Sequence, residues 1–134
     1  MKNKRVRQVV WAFAVLMVTA PVWAHHGNAA FDSEKRVTMK GTVTDWFWAN
    51  PHCFLRFDVK DASGNVVHWV AEASNPPDMI NHGWSKSLLK VGDEVTVTVI
   101  PVKNGKPIGR IAAVVLPNAQ TLDGGFGPPP APKQ

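Results

Sequence analysis

The sequence predicts a mainly β fold: a small five-stranded OB-like Greek-key barrel with a short helical insert between strands three and four. Three observations carry this. The first two of five apolar-rich segments place apolar and polar residues on opposite faces with a period of two, and the fourth is rich in Val and Thr. Turn signals at Asp61-Ala62-Ser63-Gly64 and Asn104-Gly105 join neighbouring segments into hairpins. A helix-start signal, Asn75-Pro76-Pro77-Asp78, sits between the third and fourth segments.

The first strand spans Arg36 to Trp48, with Val37, Met39, Gly41 and Val43 opposed to Thr38, Lys40, Thr42 and Thr44. Asn50-Pro51 interrupts it, because proline has no N–H for a ladder. The second runs from His52 to Lys60, with Cys53, Leu55, Phe57 and Val59 on one face. The third, Val66 to Ala73, returns from the tight turn as a hairpin. Ser74 or Asn75 then caps a short helix over Met79 to His82, which Gly83 ends. A second short turn is placed at Ser85 to Leu89. The fourth strand is Glu94 to Val102 and the fifth is Ile108 to Leu116, closed by Pro117. Three strands, a helical connection and two strands give the order of an OB-type barrel. A small open sandwich is the alternative.

Four regions follow. Residues 1–24 read as a signal peptide: Lys2, Lys4, Arg5 and Arg7, then an apolar run from Val9 to Val18, then Val22-Trp23-Ala24. The run is short for a membrane span. Cleavage is expected after Ala24, giving a periplasmic or secreted protein that is not an integral membrane protein after processing. Residues 25–35 form an N-terminal arm, 36–117 the barrel domain, and 118–134 a Gly/Pro-rich tail expected to stay disordered.

Processing changes the charge argument. The formal net charge is +5, from 15 Lys and Arg against 10 Asp and Glu. Four of the basic residues fall within the first seven positions. The remainder is close to neutral, so no nucleic-acid partner is expected. Cys53 is the single cysteine, which excludes an internal disulfide. Its face, shared with Leu55 and Phe57, reads as core.

Cleavage after Ala24 exposes His25 as the first residue, with His26 behind it. A terminal amine has a pKa of about 7.7–8.0, so part of it is neutral at pH 7. With the His25 ring it closes a chelate that suits copper, as in the histidine brace of secreted copper oxygenases. Cleavage one residue earlier gives Ala24-His25-His26, another copper-binding terminus. A further ligand must come from the folded body. His52, held behind Asn50-Pro51, is the first candidate, ahead of His68 and His82. The expected metal set is therefore His25, His26 and His52. The bland alternative is a solvated arm that binds nothing.

Arg56, His68 and Glu72 fall on one face of the hairpin, read as an outer-face ion pair of little worth. Trp46 and Trp48 project to one side, and packing between barrel and helical insert is the favoured reading. The rival is an aromatic surface presented to an unknown protein or small-molecule partner. No G-x-S-x-G, phosphate loop, C-x-x-C or H-E-x-x-H occurs, so no catalytic residue is assigned and an enzyme is not the favoured reading.

The ordered features Ala24-His25-His26, Phe31-Asp32, Gly41-Thr42-Val43, Trp48 through Asn50-Pro51-His52, and Asp58-Val59 with Asp61 resemble a known family. So do Trp69 with Glu72, Gly83-Trp84, and Leu89 through Gly92-Asp93-Glu94-Val95. That family is the exported bacterial family "domain of unknown function 6152". The resemblance implies an exported barrel domain and no particular activity.

Overall fold

The structure is a computed structural model and describes residues 27–128. The signal-peptide reading of 1–24, and His25 and His26, lie outside the described residues.

The predicted strands form. They are β1 (Val37–Phe47), β2 (Phe54–Lys60), β3 (Val66–Glu72), β4 (Glu94–Pro101) and β5 (Ile108–Val115). A single short helix, α1 (Pro76–Asn81), separates β3 from β4. β1 pairs antiparallel with both β2 and β4, β2 with β3, and β4 with β5. Parallel pairing of β3 with β5 closes the barrel. Closure removes the free edges that an open sheet would expose. The alternative of an open sandwich is thereby excluded.

The helix starts three residues earlier than the sequence placed it. Asn75 is the N-cap, and its Oδ1 accepts from the Asp78 N–H at 3.0 Å. Pro76 and Pro77 occupy the first turn, where a missing N–H costs nothing. The Asp78 carboxylate accepts from Ser74 Oγ and Asn75 Nδ2, both at 2.8 Å. Met79 is the residue α1 buries against the core.

The core is built from the inward residues of all five strands. Val43, Leu55, Phe57, Ala71, Val95, Val97, Val99 and Val114 are buried, and Met79, Trp84 and Leu89 join the same cluster. Two bulges let the sheet curl. On β1 the register with β2 slips between Val43 and Asp45, so Thr44 has no opposite partner. Trp46 consequently faces Leu55 and shares the side of Val43, which strict alternation would forbid. On β5 the register with β4 slips at Thr98/Val99, and the buried positions change from Gly109 and Ile111 to Val114 and Leu116. Gly41 lies where the strands crowd. A Cβ there would come 2.6 Å from the Asp58 carbonyl oxygen.

The tail departs from expectation. Residues 118–128, read from composition as disordered, are placed against the barrel. Thr121–Leu122 form β6 on the edge of β5. Gly124 and Gly125 are buried, and the Ser74 N–H donates to the Gly124 carbonyl at 2.9 Å. Glycine is required here: a Cβ on Gly124 would clash with the Ile111 carbonyl oxygen, and Gly125 has φ +75°. The Gly/Pro content therefore encodes a strap (Asp123 to Gly127) fitted closely to the barrel. The arm is fitted too. Phe31 bridges Val102, Asp32 N–H donates to the Pro101 carbonyl, and Lys103 N–H donates to the Ala30 carbonyl.

Candidate functional site

Barrel closure creates the site. The parallel register of β3 with β5 sets Glu72 opposite Arg110. Their neighbours Ala71, Gly109 and Ile111 are buried, so both side chains point outward at the closing seam. His52 joins them from the segment before β2. There Cys53 N–H donates to the Ser74 carbonyl, and Ala73 N–H donates to the Cys53 carbonyl. Those bonds extend the ladder and turn His52 outward, because Cys53 is buried.

The arm and the strap complete the walls. Gly27, Asn28 and Phe31 enter from the arm and Phe126 from the strap. With His52, Glu72 and Arg110 they line a cleft of ≈ 490 Å³. The Arg110 guanidinium lies between two rings, 4.4 Å from the Phe31 centroid and 4.5 Å from that of Phe126. Each such contact contributes about 0.5–2 kcal/mol. Arg110 Nη1 donates to Asn28 Oδ1 at 2.9 Å. Phe126 also stacks over the His52 ring, with centroids 6.2 Å apart.

His52 Nδ1 faces two acceptors, Glu72 Oε1 at 3.0 Å and the Ala73 carbonyl at 3.1 Å. A carbonyl only accepts, so Nδ1 carries the proton. In the neutral ring Nε2 is then left with its lone pair, the state a metal ligand needs. Glu72 is shared with Arg110, whose Nη2 is 3.9 Å from Oε1.

The other predicted residues go elsewhere. His68 does not meet Glu72. It is exposed and lies across the hairpin from Asp58, 2.6 Å from that carboxylate. Residues four apart on one strand share a face but are separated by about 13 Å. Arg56 pairs instead with Asp45, at 2.6 Å. Both are exposed pairs of small energetic worth. His82 is buried beneath the strap, with Nδ1 2.6 Å from Asp123 Oδ1 and Nε2 3.0 Å from the Gly127 carbonyl. Among the described residues, no group of three or more His, Cys, Asp and Glu is arranged to hold a metal ion.

The tryptophans pack on one another. Trp46 lies 5.6 Å from Trp48 and 5.2 Å from Trp84 between ring centroids, and its Nε1 donates to the Ser85 carbonyl. They join barrel to insert, as the favoured reading held. Cys53 is fully buried, and burial pushes its thiol pKa up, partly offset by a backbone hydrogen bond from Ala49. That excludes it as a partner for His52 at the surface. Arg110, Asn28 and Phe126 were not singled out by sequence reasoning. Only alternation along β5 hinted that Arg110 points outward, and its meeting with Glu72 depends on long-range register.

No helix among the described residues is long and apolar enough to cross a membrane. No curated protein and no solved structure matches the chain. One family model does, over residues 12–111, a span that includes His25, His26, His52, Glu72 and Arg110 and stops short of the strap. The chain therefore belongs to the family of unknown function DUF6152, as the motifs from Ala24-His25-His26 to Val95 had suggested.

Proposed function

We propose that this chain is exported to the periplasm, cleaved after Ala24, and binds copper through the new terminus. The ligands are the His25 amine and ring, with His26 and His52 completing the set. One observation carries the proposal: Gly27, the residue after His26, lines the same cleft as His52 and Glu72. Consecutive Cα atoms are about 3.8 Å apart, so His26 and His25 are tethered one and two residues from that rim. The donor chemistry agrees. Imidazole and amine nitrogens suit Cu(II), and a carboxylate on Nδ1 is the usual support for a ligating histidine.

In this reading Glu72 fixes the orientation of the His52 ring, and the Arg110 guanidinium, packed against Phe31 and Phe126, lies beside Glu72. The test is copper titration of processed protein against two variants. One carries an extra glycine before His25; the other is His52→Ala. Each should lose at least tenfold in affinity. Unchanged affinity in the extended chain removes the terminal amine from the site. Unchanged affinity in His52→Ala removes the barrel's contribution.

A further inference from the structure

His82 is buried at the C-cap of α1, directly beneath the strap. Its ring touches both ends of that strap. Nδ1 lies 2.6 Å from Asp123 Oδ1, and Nε2 lies 3.0 Å from the Gly127 carbonyl oxygen. An ionised carboxylate and a carbonyl only accept, while a neutral imidazole has a single N–H. The doubly protonated ring alone offers a proton to each. The Nδ1 contact is not aligned as a hydrogen bond, so charge is what holds Asp123 there. In a neutral ring one end fails whichever nitrogen keeps the proton. With the proton on Nε2, the Nδ1 lone pair faces a carboxylate oxygen and repels it. With the proton on Nδ1, the Gly127 carbonyl faces a lone pair.

Phe126 rides between these two ends. Among the described residues, the bond to the Gly127 carbonyl is the one hydrogen bond that residues 126–128 make. Otherwise Phe126 is held by its ring, which stacks on His52 and lies over the Arg110 guanidinium. The bonds to the Gly124 and Asp123 carbonyls, from Ser74 N–H and Trp84 Nε1, do not titrate. The Phe126 end is therefore the part of the strap that responds to the charge on His82. Asp123 is the carboxylate in contact with the ring. Arg36 and Arg110 line the pocket that His82 and Asp123 share, and both oppose a further positive charge there. On α1 itself, the Asp78 carboxylate is taken up by Ser74 and Asn75.

We infer that His82 is a protonation-dependent clasp, and that Phe126 is the lid it holds over the His52 cleft. The sign follows from the contacts. The hold is complete while the ring carries both protons, and it is lost as pH rises and the ring gives one up. Across the range in which imidazole changes charge, the cleft is covered at the acid end and open at the alkaline end. His82, Asp123 and Gly127 lie outside the proposed copper set, so the clasp acts whether or not a metal is bound.

The test is nuclear magnetic resonance of the isotope-labelled processed chain, with a chelator present, at about pH 5.5 and about pH 8.5. Imidazole nitrogen shifts read the protonation of each ring nitrogen of His82. Nuclear Overhauser contacts from the Phe126 ring to the Arg110 side chain, which does not titrate, read the lid. The Gly125 N–H donates to Asp123 Oδ1, so its exchange protection reads the Asp123 end. At the lower pH, His82 should carry two protons and the Phe126–Arg110 contact should be present. At the higher pH, one proton should be gone, the contact weakened, and Gly125 protection reduced about fivefold or more, the worth of one hydrogen bond. His82→Gln keeps a donor but no titrating charge, and should make the lid independent of pH. Should that variant not fold, Asp123→Asn replaces it with the same expectation. A singly protonated His82 at the lower pH overturns the clasp. So does a Phe126–Arg110 contact that is equal at both pH values. The same pH response surviving in the variant assigns the switch to another group and overturns the role of His82.

Discussion

Gly124→Ala and Gly127→Ala, three residues apart on the same tail, should behave as opposites. An added Cβ at Gly124 would overlap the Ile111 carbonyl oxygen and lie 3.1 Å from the Ile111 carbonyl carbon. Both atoms are backbone of β5, so no rotamer change relieves the clash, and the strap must lift. Lifting breaks the Ser74 N–H bond to the Gly124 carbonyl at 2.9 Å and the Trp84 Nε1 bond to the Asp123 carbonyl at 2.7 Å. It also threatens the His82 Nε2 bond to the Gly127 carbonyl at 3.0 Å. At about 0.5–1.5 kcal/mol each, three bonds amount to about 2–4 kcal/mol. Chain entropy returned on lifting offsets part of this. A net loss of about 1–3 kcal/mol is expected, in the range of other overpacked sites. For a domain of this size that is a fall in Tm of several degrees, about 4–8 °C per kcal/mol. A Cβ at Gly127 has nothing within 4 Å, and Gly127→Ala should stay within about 0.5 kcal/mol. Thermal unfolding by circular dichroism reads both variants, and limited proteolysis after residue 122 reads the strap itself. Equal Tm values for wild type and both variants would refute the seated strap and restore a tail that orders nothing.

Two further outcomes follow from the pKa directions. Cys53 is fully buried with a raised thiol pKa, so a thiol reagent should leave native protein unlabelled and react fully in denaturant; rapid native labelling would place Cys53 at the surface. The Asp61 carboxyl pKa is lowered, first by the Asn65 backbone N–H and also by those of Ser63 and Gly64. Its contribution is present above the unfolded carboxylate pKa of about 3.9 and is lost as pH falls through the lower folded value. Asp61→Asn keeps an acceptor but no charge, so its Tm deficit at pH 7 should shrink by about pH 2, and a constant deficit would contradict the assignment.

The fold was legible because β2, β4 and β1 up to its bulge at Thr44 alternate, and the turns carry their own residues. The bulges were not, since Thr44 and Ala112 have no composition that marks an unpaired position. That is why the side of β1 occupied by Trp46 follows from the register and not from counting. The strap was misread for a physical reason. Glycine marks both flexible chain and close approach, and only the position of Ile111 tells which applies to Gly124. The site was half legible. His52 stood out by its turn, but its partner Glu72 was assigned to His68 on the same strand, about 13 Å away. Glu72, Arg110 and His52 meet through the parallel β3–β5 closure, a contact between residues distant in sequence.

In the proposed site the amine of His25 and the ring of His52 share one copper ion. Electron paramagnetic resonance of Cu(II) bound to the processed chain tests it most directly, compared with the same chain carrying one added glycine before His25 and with His52→Ala. A nitrogen-rich spectrum is expected from the processed chain, with nitrogen coupling lost in each variant. Identical spectra from all three would contradict it.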